Sequence, residues 1–390
     1  MPPHSPERMQ RVLTPMIPVV GQWLSQRPHA ISLGQGVVHY PPPPQVADAV
    51  AAAANDPHLS RYGPVQGSPS LRAALALKLA QENGLHVDQS QTIMVTAGSN
   101  MAFQTAISAI ADVDDEIILL SPYYFNHHMA TTIAGCRPVV VATNAQWQLD
   151  VDAVAAAFTS RTRAVVTISP NNPTGAVYTR EALDAINKLC AKHGVFHISD
   201  EAYEYFTYDA AQHYSPASRP GAAEHTISLF SFSKGYGMAG WRCGYLVAPD
   251  RLEPSLLKIQ DTNLICPPQV TQRAAEAALG AGAAWRDVQI APLADIRRQV
   301  LAELSTLEPL CTFARPAGAF YVFLETTRKL DDVQLAKSLL DQYDVAVMPG
   351  STFGIEERCT LRIAYGALDR DTVAEGVHRV VRGLRELLAP

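Results

Sequence analysis

Residues 92–122 read TIMVTAGSNMAFQTAISAIADVDDEIILLSP. The run at 92–97 is short, β-branched and apolar, which is strand composition. Small residues follow, Gly98 and Ser99, and then a helical stretch over 100–111. An acidic loop (Asp112, Asp114, Asp115, Glu116) leads into a second apolar run, EIILLS at 116–121. Strand, crossover helix and strand make the repeating unit of a parallel sheet. Outward from this unit the pattern continues. The runs RPVVVAT, RAVVTISP, VFHISD, TISLFSFS and RCGYLV bring the number of apolar runs to seven, with further helical stretches at 151–158 and 180–193. The expected fold class is α/β, with a mostly parallel, buried seven-stranded sheet.

The texture changes near residue 285. A long helical stretch over 285–307 precedes short strands near 319–324, 345–348 and 360–364, with helices near 333–343 and 371–388. This predicts a smaller α+β domain at 286–390, a large domain at 46–285, and an N-terminal arm at 1–45 that joins the smaller one. An alanine-rich helix over 45–55 follows the extended Pro41–Pro44 connector. A chain of 390 residues is long enough for two such cores.

Composition excludes some functions. The net charge of −6 does not suit a polyanion partner, so no nucleic acid is expected. The apolar stretch at 13–20 carries Pro15 and Pro18 and is too short to span a bilayer. No charged start followed by an apolar run marks a signal peptide, so no membrane partner is expected. The six cysteines are scattered without a C-x-x-C pair, which reads as reduced thiols in a cytoplasmic protein. His193 and His197 are separated by Gly194 and a strand start, so no metal site is expected.

Open α/β sheets bind ligands beyond the carboxyl ends of their strands. Four such ends carry polar residues. Gly98-Ser99-Asn100 opens a helix, where small residues and free N–H groups suit an anion, although an ordinary helix cap reads the same way. Asn171-Asn172-Pro173-Thr174-Gly175 has turn chemistry. Asp200 closes a buried strand, which is costly unless a partner such as a pyridinium nitrogen meets it, and Tyr203 follows three residues on. Ser231-Phe232-Ser233-Lys234 ends another apolar run, with Arg242 eight residues further. A snorkelling lysine is the plain alternative, but these are also the parts of a Schiff-base amine beside a phosphate pocket.

The segments RYGPVQGSPSLR, NNPTG, DEAY, SFSKGYGMAGWR and LRIAYG occur in this order along the chain. Together they resemble the class I/II aminotransferases, fold-type-I enzymes dependent on pyridoxal 5'-phosphate (PLP). The resemblance implies a role for each site residue. Lys234 holds the cofactor and shuttles a proton. Asp200 pairs with the pyridine nitrogen, and Asn172 and Tyr203 bond the cofactor's phenolic oxygen. Tyr124 stacks on the ring. Ser99, Ser231, Ser233 and Arg242 hold the phosphate, with backbone contacts from Gly98 and Asn100. Tyr62 reaches the phosphate of a second subunit, which implies a homodimer with shared sites. Arg362 clamps the substrate carboxylate beside Gly36 and Val37. The implied reaction moves an amino group from an L-α-amino acid to a 2-oxo acid in ping-pong fashion. The stretches LGQGVVHYPPP, PYYFNHHMA and KIQDTNLICPPQ look most like a plant and cyanobacterial branch acting on aromatic amino acids and methionine. Asn100 stands where some relatives have a lysine for a distal carboxylate, and Met16 and Ile17 could close the pocket. An aspartate specificity, and a C–S lyase or oxidase reaction with the same cofactor, remain alternatives.

Overall fold

The computed structural model describes residues 6–389; Met1–Ser5, the start of the expected arm, and Pro390 lie outside the described residues. The strands run in chain order as β1 (Ile31–Ser32), β2 (Gln91–Thr96), β3 (Glu116–Ser121), β4 (Arg137–Ala142), β5 (Thr162–Ile168), β6 (Phe196–Asp200), β7 (Thr226–Ser231), β8 (Gly244–Pro249), β9 (Cys311–Phe313), β10 (Tyr321–Thr326), β11 (Val345–Ala346), β12 (Met348–Pro349) and β13 (Thr360–Ala364). All seven expected runs form one sheet, ordered β2-β8-β7-β6-β5-β3-β4. It is parallel except for β8, which runs antiparallel to both β2 and β7.

Successive residues of a strand face opposite sides, and here both sides are covered. In β3, Ile117 and Leu119 pack with Phe103, Ala106 and Ile107 of the helix Ser99–Ile110. Ile118 and Leu120 pack on the other face with Leu183, Ile186 and Cys190 of the helix Arg180–His193. That helix is capped by the Thr179 side chain and ends at Gly194 in the left-handed conformation. β4 is one of the two edge strands, and its Val140 is exposed.

A second, antiparallel sheet has the order β12-β13-β10-β9. β1 pairs in parallel with β11, so the N-terminal segment is tied to the late part of the chain. The stretch at 285–307 is two helices and not one. Gly282–Ile290 stops at Ala291, and Pro292–Ser305 starts with proline in its first turn, where the missing N–H costs nothing. The boundary expected after residue 285 therefore falls inside a helix. The 13–20 stretch is largely helical: Met16–Ser25 forms a helix that tolerates Pro18 in its first turn. Helices Pro69–Lys78, Phe125–Ile133, Glu253–Leu264 and Gln269–Gly280, and strand β9, add to the elements read from sequence.

Candidate active site

A cavity of about 360 Å³ opens at the carboxyl ends of β2, β5, β6 and β7. Its wall brings together Ser99, Asn100, Tyr124, Asn172, Asp200, Tyr203, Ser231, Ser233, Lys234 and Arg242 from six separate segments.

One end is built for an anion. The helix Ser99–Ile110 starts here with Gly98 as its cap residue, and no side chain caps its first N–H groups. Gly98 has φ +85°, and a Cβ there would meet Arg242 Nη2 at 2.2 Å. Only glycine lets the guanidinium lie this close to the helix start. Arg242 donates to Ala239 O at 2.8 Å, to Ala97 O at 3.4 Å and to Ser233 Oγ at 3.5 Å. Ser231 Oγ accepts from Ser233 N at 3.1 Å, which folds the two hydroxyls into the same corner.

The middle holds Lys234. Its Nζ donates to Gly36 O and lies 5.8 Å from the centre of the Tyr203 ring. Burial first, then the positive charges of Arg362 and Arg242, push its pKa down to about 8, against a smaller pull from Asp200. Asp200 is buried at the end of β6. One carboxylate oxygen accepts from Ala202 N at 3.1 Å, and the other meets His127 Nε2 at 3.1 Å. His127 is held by stacking on Phe103, with ring centres 4.0 Å apart. Sequence reasoning assigned His127 no role. Its signal is its place three residues after Tyr124 on the helix Phe125–Ile133, whose start borders the cavity. Tyr124 accepts a bond from Asn126 Nδ2 at 2.7 Å and also bonds Asn100, while burial raises its pKa.

The far end carries a fixed cation. Arg362, on β13, is 1% exposed and donates to Asn172 Oδ1 at 2.8 Å and to Gly34 O at 2.6 Å. It lies over Tyr321 and Phe353, 4.6 and 5.0 Å from the ring centres. Asn172 Nδ2 donates to the Tyr203 hydroxyl at 3.3 Å, and Tyr321 shares a 2.7 Å hydrogen bond with the same hydroxyl. Burial and the neighbouring Tyr321 raise the Tyr203 pKa well above normal. Tyr321 was not anticipated. It explains Gly36, where a Cβ would meet the Tyr321 hydroxyl at 2.3 Å. Gly36, Gly98 and Arg362 thus sit directly behind the cavity wall. Val37 is off that wall, with its carbonyl facing Gly366. Tyr62 is 79% exposed and is not brought to the cavity of its own chain. Ile17 reaches the wall from the helix Met16–Ser25, whereas Met16 is partly buried against the core beside it.

The donor set suits PLP: a helix start with an arginine and two serines for a phosphate, a buried carboxylate, and an amine of lowered basicity. Comparison with known proteins agrees. Residues 28–380 match the family described as aminotransferase class I and II. An aspartate aminotransferase of Pyrococcus abyssi is 35% identical, over 91% of this chain and 92% of its own. An aromatic aminotransferase of Arabidopsis thaliana is 33% identical, over 97% of this chain and 96% of its own. Among solved structures, the aspartate aminotransferase of Thermus thermophilus with maleate superimposes with a TM-score of 0.90 at 32% identity, covering 98% of this chain and 100% of that one. The chain belongs to the class I and II aminotransferases, PLP-dependent enzymes that move an amino group between an amino acid and a 2-oxo acid.

Proposed function

We propose that this aminotransferase prefers an amino donor with an apolar side chain, phenylalanine, tyrosine, tryptophan or methionine, over aspartate. One observation carries the reading. The cations at the cavity are Lys234 and Arg242 on its wall and Arg362 behind it, and in this reading each is committed: Lys234 to the cofactor, Arg242 to its phosphate and Arg362 to the α-carboxylate. A distal carboxylate would be left unpaired, which is costly in a buried site. Asn100 carries no charge, and Ile17 adds apolar surface. Burying an aromatic or thioether side chain there is worth roughly 1.5–3 kcal/mol. A preference for aspartate is the second reading, favoured by relatives named aspartate aminotransferase in Pyrococcus abyssi and Geobacillus stearothermophilus. Measuring kcat/KM for these donors with one common 2-oxo acid separates the two. A clear preference for aspartate overturns the proposal, and Asn100→Lys should move the preference toward aspartate.

In this reading Ser99, Ser231, Ser233 and Arg242, with the backbone of Gly98 and Asn100, hold the cofactor phosphate. Tyr124 lies against its ring, and Asp200 faces its ring nitrogen. Bound there, PLP supplies an aldehyde that condenses with amines and a ring that accepts the electron pair left at the substrate Cα. Lys234 would hold the cofactor, and once released its amine would take the proton from the substrate Cα and deliver it to the cofactor carbon C4′ on the other side of the amino nitrogen. A pKa near 8 keeps part of the amine neutral for that task at ordinary pH. Asn172 and Tyr203 orient the cofactor's phenolic oxygen. Arg362 would receive the substrate carboxylate with its planar fork, next to Gly36.

The reading includes a homodimer in which Tyr62 completes the partner's phosphate site; its exposure in the single chain supports this. It also includes a division into a large domain, 46–285, and a small one, 286–390 plus 1–45. The β1–β11 pairing supports the grouping of the N-terminal segment with the late part of the chain. A cytoplasmic location accords with six free cysteines.

A further inference from the structure

The segment Asp200-Glu201-Ala202-Tyr203-Glu204 has two faces. Asp200 and Tyr203 line the cavity. Glu201 and Glu204 are equally buried, 1% and 8% exposed, yet neither is on the cavity wall. Burying two carboxylates within four residues is costly unless each is met by donors.

The donors are there for every oxygen but Glu201 Oε1, and they join into one cluster. Both oxygens of Glu204 accept from Lys78 Nζ, at 2.7 and 2.6 Å. Lys78 also donates to Asn83 Oδ1 at 2.8 Å, and it lies over the ring of Phe230, 4.8 Å from its centre. Asn83 Nδ2 donates to Glu204 at 2.8 Å and to Ser215 Oγ at 3.0 Å. Ser215 Oγ in turn donates to Glu201 Oε2, which His213 Nε2 meets at 2.9 Å. Asn83 reaches this cluster from the π-helical turn Leu79–Asn83, an uncommon widening of the helix that carries Lys78.

A buried ion pair rarely adds stability over a well-packed apolar pair, so stability alone does not account for this cluster. Direction does. Glu201 N is tied to Leu229 O of the neighbouring β7 at 2.8 Å, and the backbone then turns, with Glu204 N bonded to Glu201 O at 3.0 Å. Anchoring both glutamates from behind fixes the peptide planes that aim Asp200 and Tyr203. We infer that Glu201 and Glu204, held by the Lys78–Asn83–Ser215–His213 cluster, are positioning residues for amino transfer. The inference rests on the roles proposed for Asp200 and Tyr203.

The test uses the holoenzyme with both Lys78 and Glu204 changed to Met, which removes the two charges together, and separately Glu201→Gln. A misplacement of about 1 Å costs about 100-fold in rate. We therefore expect kcat to fall at least about tenfold with KM within about twofold, because the substrate clamp is untouched. Amide hydrogen exchange over residues 201–206 should speed up by a similar factor in the folded protein. The pH dependence of the cofactor's absorbance should also shift, which a purely structural role would not produce. Lys78→Arg, which keeps the charge, should retain most of kcat. Native kcat with native exchange over 201–206 in the paired Met variant overturns the inference. If that variant does not fold, Glu201→Gln decides by the same readings. Asp200→Asn is the control: if it keeps native turnover, the reading of the site itself has failed. If it loses turnover while the cluster variants do not, only this inference has.

Discussion

Lys234 is held in a place that disfavours its charge, and that cost is measurable in the cofactor-free protein. The perturbation is Lys234→Met, which keeps the length of the chain and removes the amine. A lysine's usual pKa of 10.5 falls here to about 8, a gap of 2.5. At about 1.4 kcal/mol per pH unit this sets a ceiling of about 3 kcal/mol on the destabilisation. Solvent screening at the cavity mouth trims the figure, and so does the lost hydrogen bond to Gly36 O, worth about 1 kcal/mol. A net gain of about 1–2 kcal/mol at pH 7 remains for the variant. The sign with pH follows from linkage. Below about 8 the amine is charged in both folded and unfolded chains, so the full cost is present. Between about 8 and 10.5 the unfolded chain binds the proton and the folded one does not, so wild-type stability rises relative to the variant. Above that window the cost is gone and the variant is the weaker protein. Urea unfolding of both proteins from pH 6.5 to 10.5 reads the difference. A difference that stays constant over this range, or a wild type that is the more stable at pH 7, refutes the reasoning.

Asp200→Asn keeps the shape of the side chain and removes its charge; turnover should drop by about 100-fold or more while cofactor absorbance shows retained binding, and near-native turnover would contradict its role. Mixing Tyr62→Phe chains with Lys234→Ala chains should restore activity, because each heterodimer regains one site with both residues intact. Sedimentation that finds an active monomer removes the basis for that experiment and for the dimer.

Six of the seven strands of the large sheet were legible because they are buried on both faces, which forces continuous β-branched runs such as EIILLS and RAVVTISP; the edge strand β4 showed through its own β-branched run, RPVVVA. Their order was not, since it depends on where crossovers land; nothing local marks β8 as the antiparallel member. The break between the two helices around Ala291 was hidden because proline in a first turn leaves the helical pattern nearly intact. The helix Pro69–Lys78 was masked by the Gly-Ser-Pro turn chemistry that caps it, with Ser68 accepting from Leu71 N. At the site, the strand-end residues could be read because each follows an apolar run. His127 and Tyr321 could not, because their partners Asp200 and Tyr203 are 73 and 118 positions away in the chain and only the fold brings them together. The occupants of the Arg362 fork were equally invisible.

Those occupants have a consequence for how the enzyme feels its substrate. With Asn172 Oδ1 and Gly34 O on two of its nitrogens and Nε without a partner, the fork of Arg362 is a latch already engaged by the protein itself. The two oxygens take only two of the five N–H groups, so a carboxylate received as proposed would dock on a fork whose plane is already set. The oxygens that set it belong to two distant parts of the chain, the segment after β1 and the turn after β5. Less orientational freedom is then lost on binding than with an arginine free to swing. The asparagine that steadies Tyr203 grips the same guanidinium, so one cation would tie occupancy to alignment.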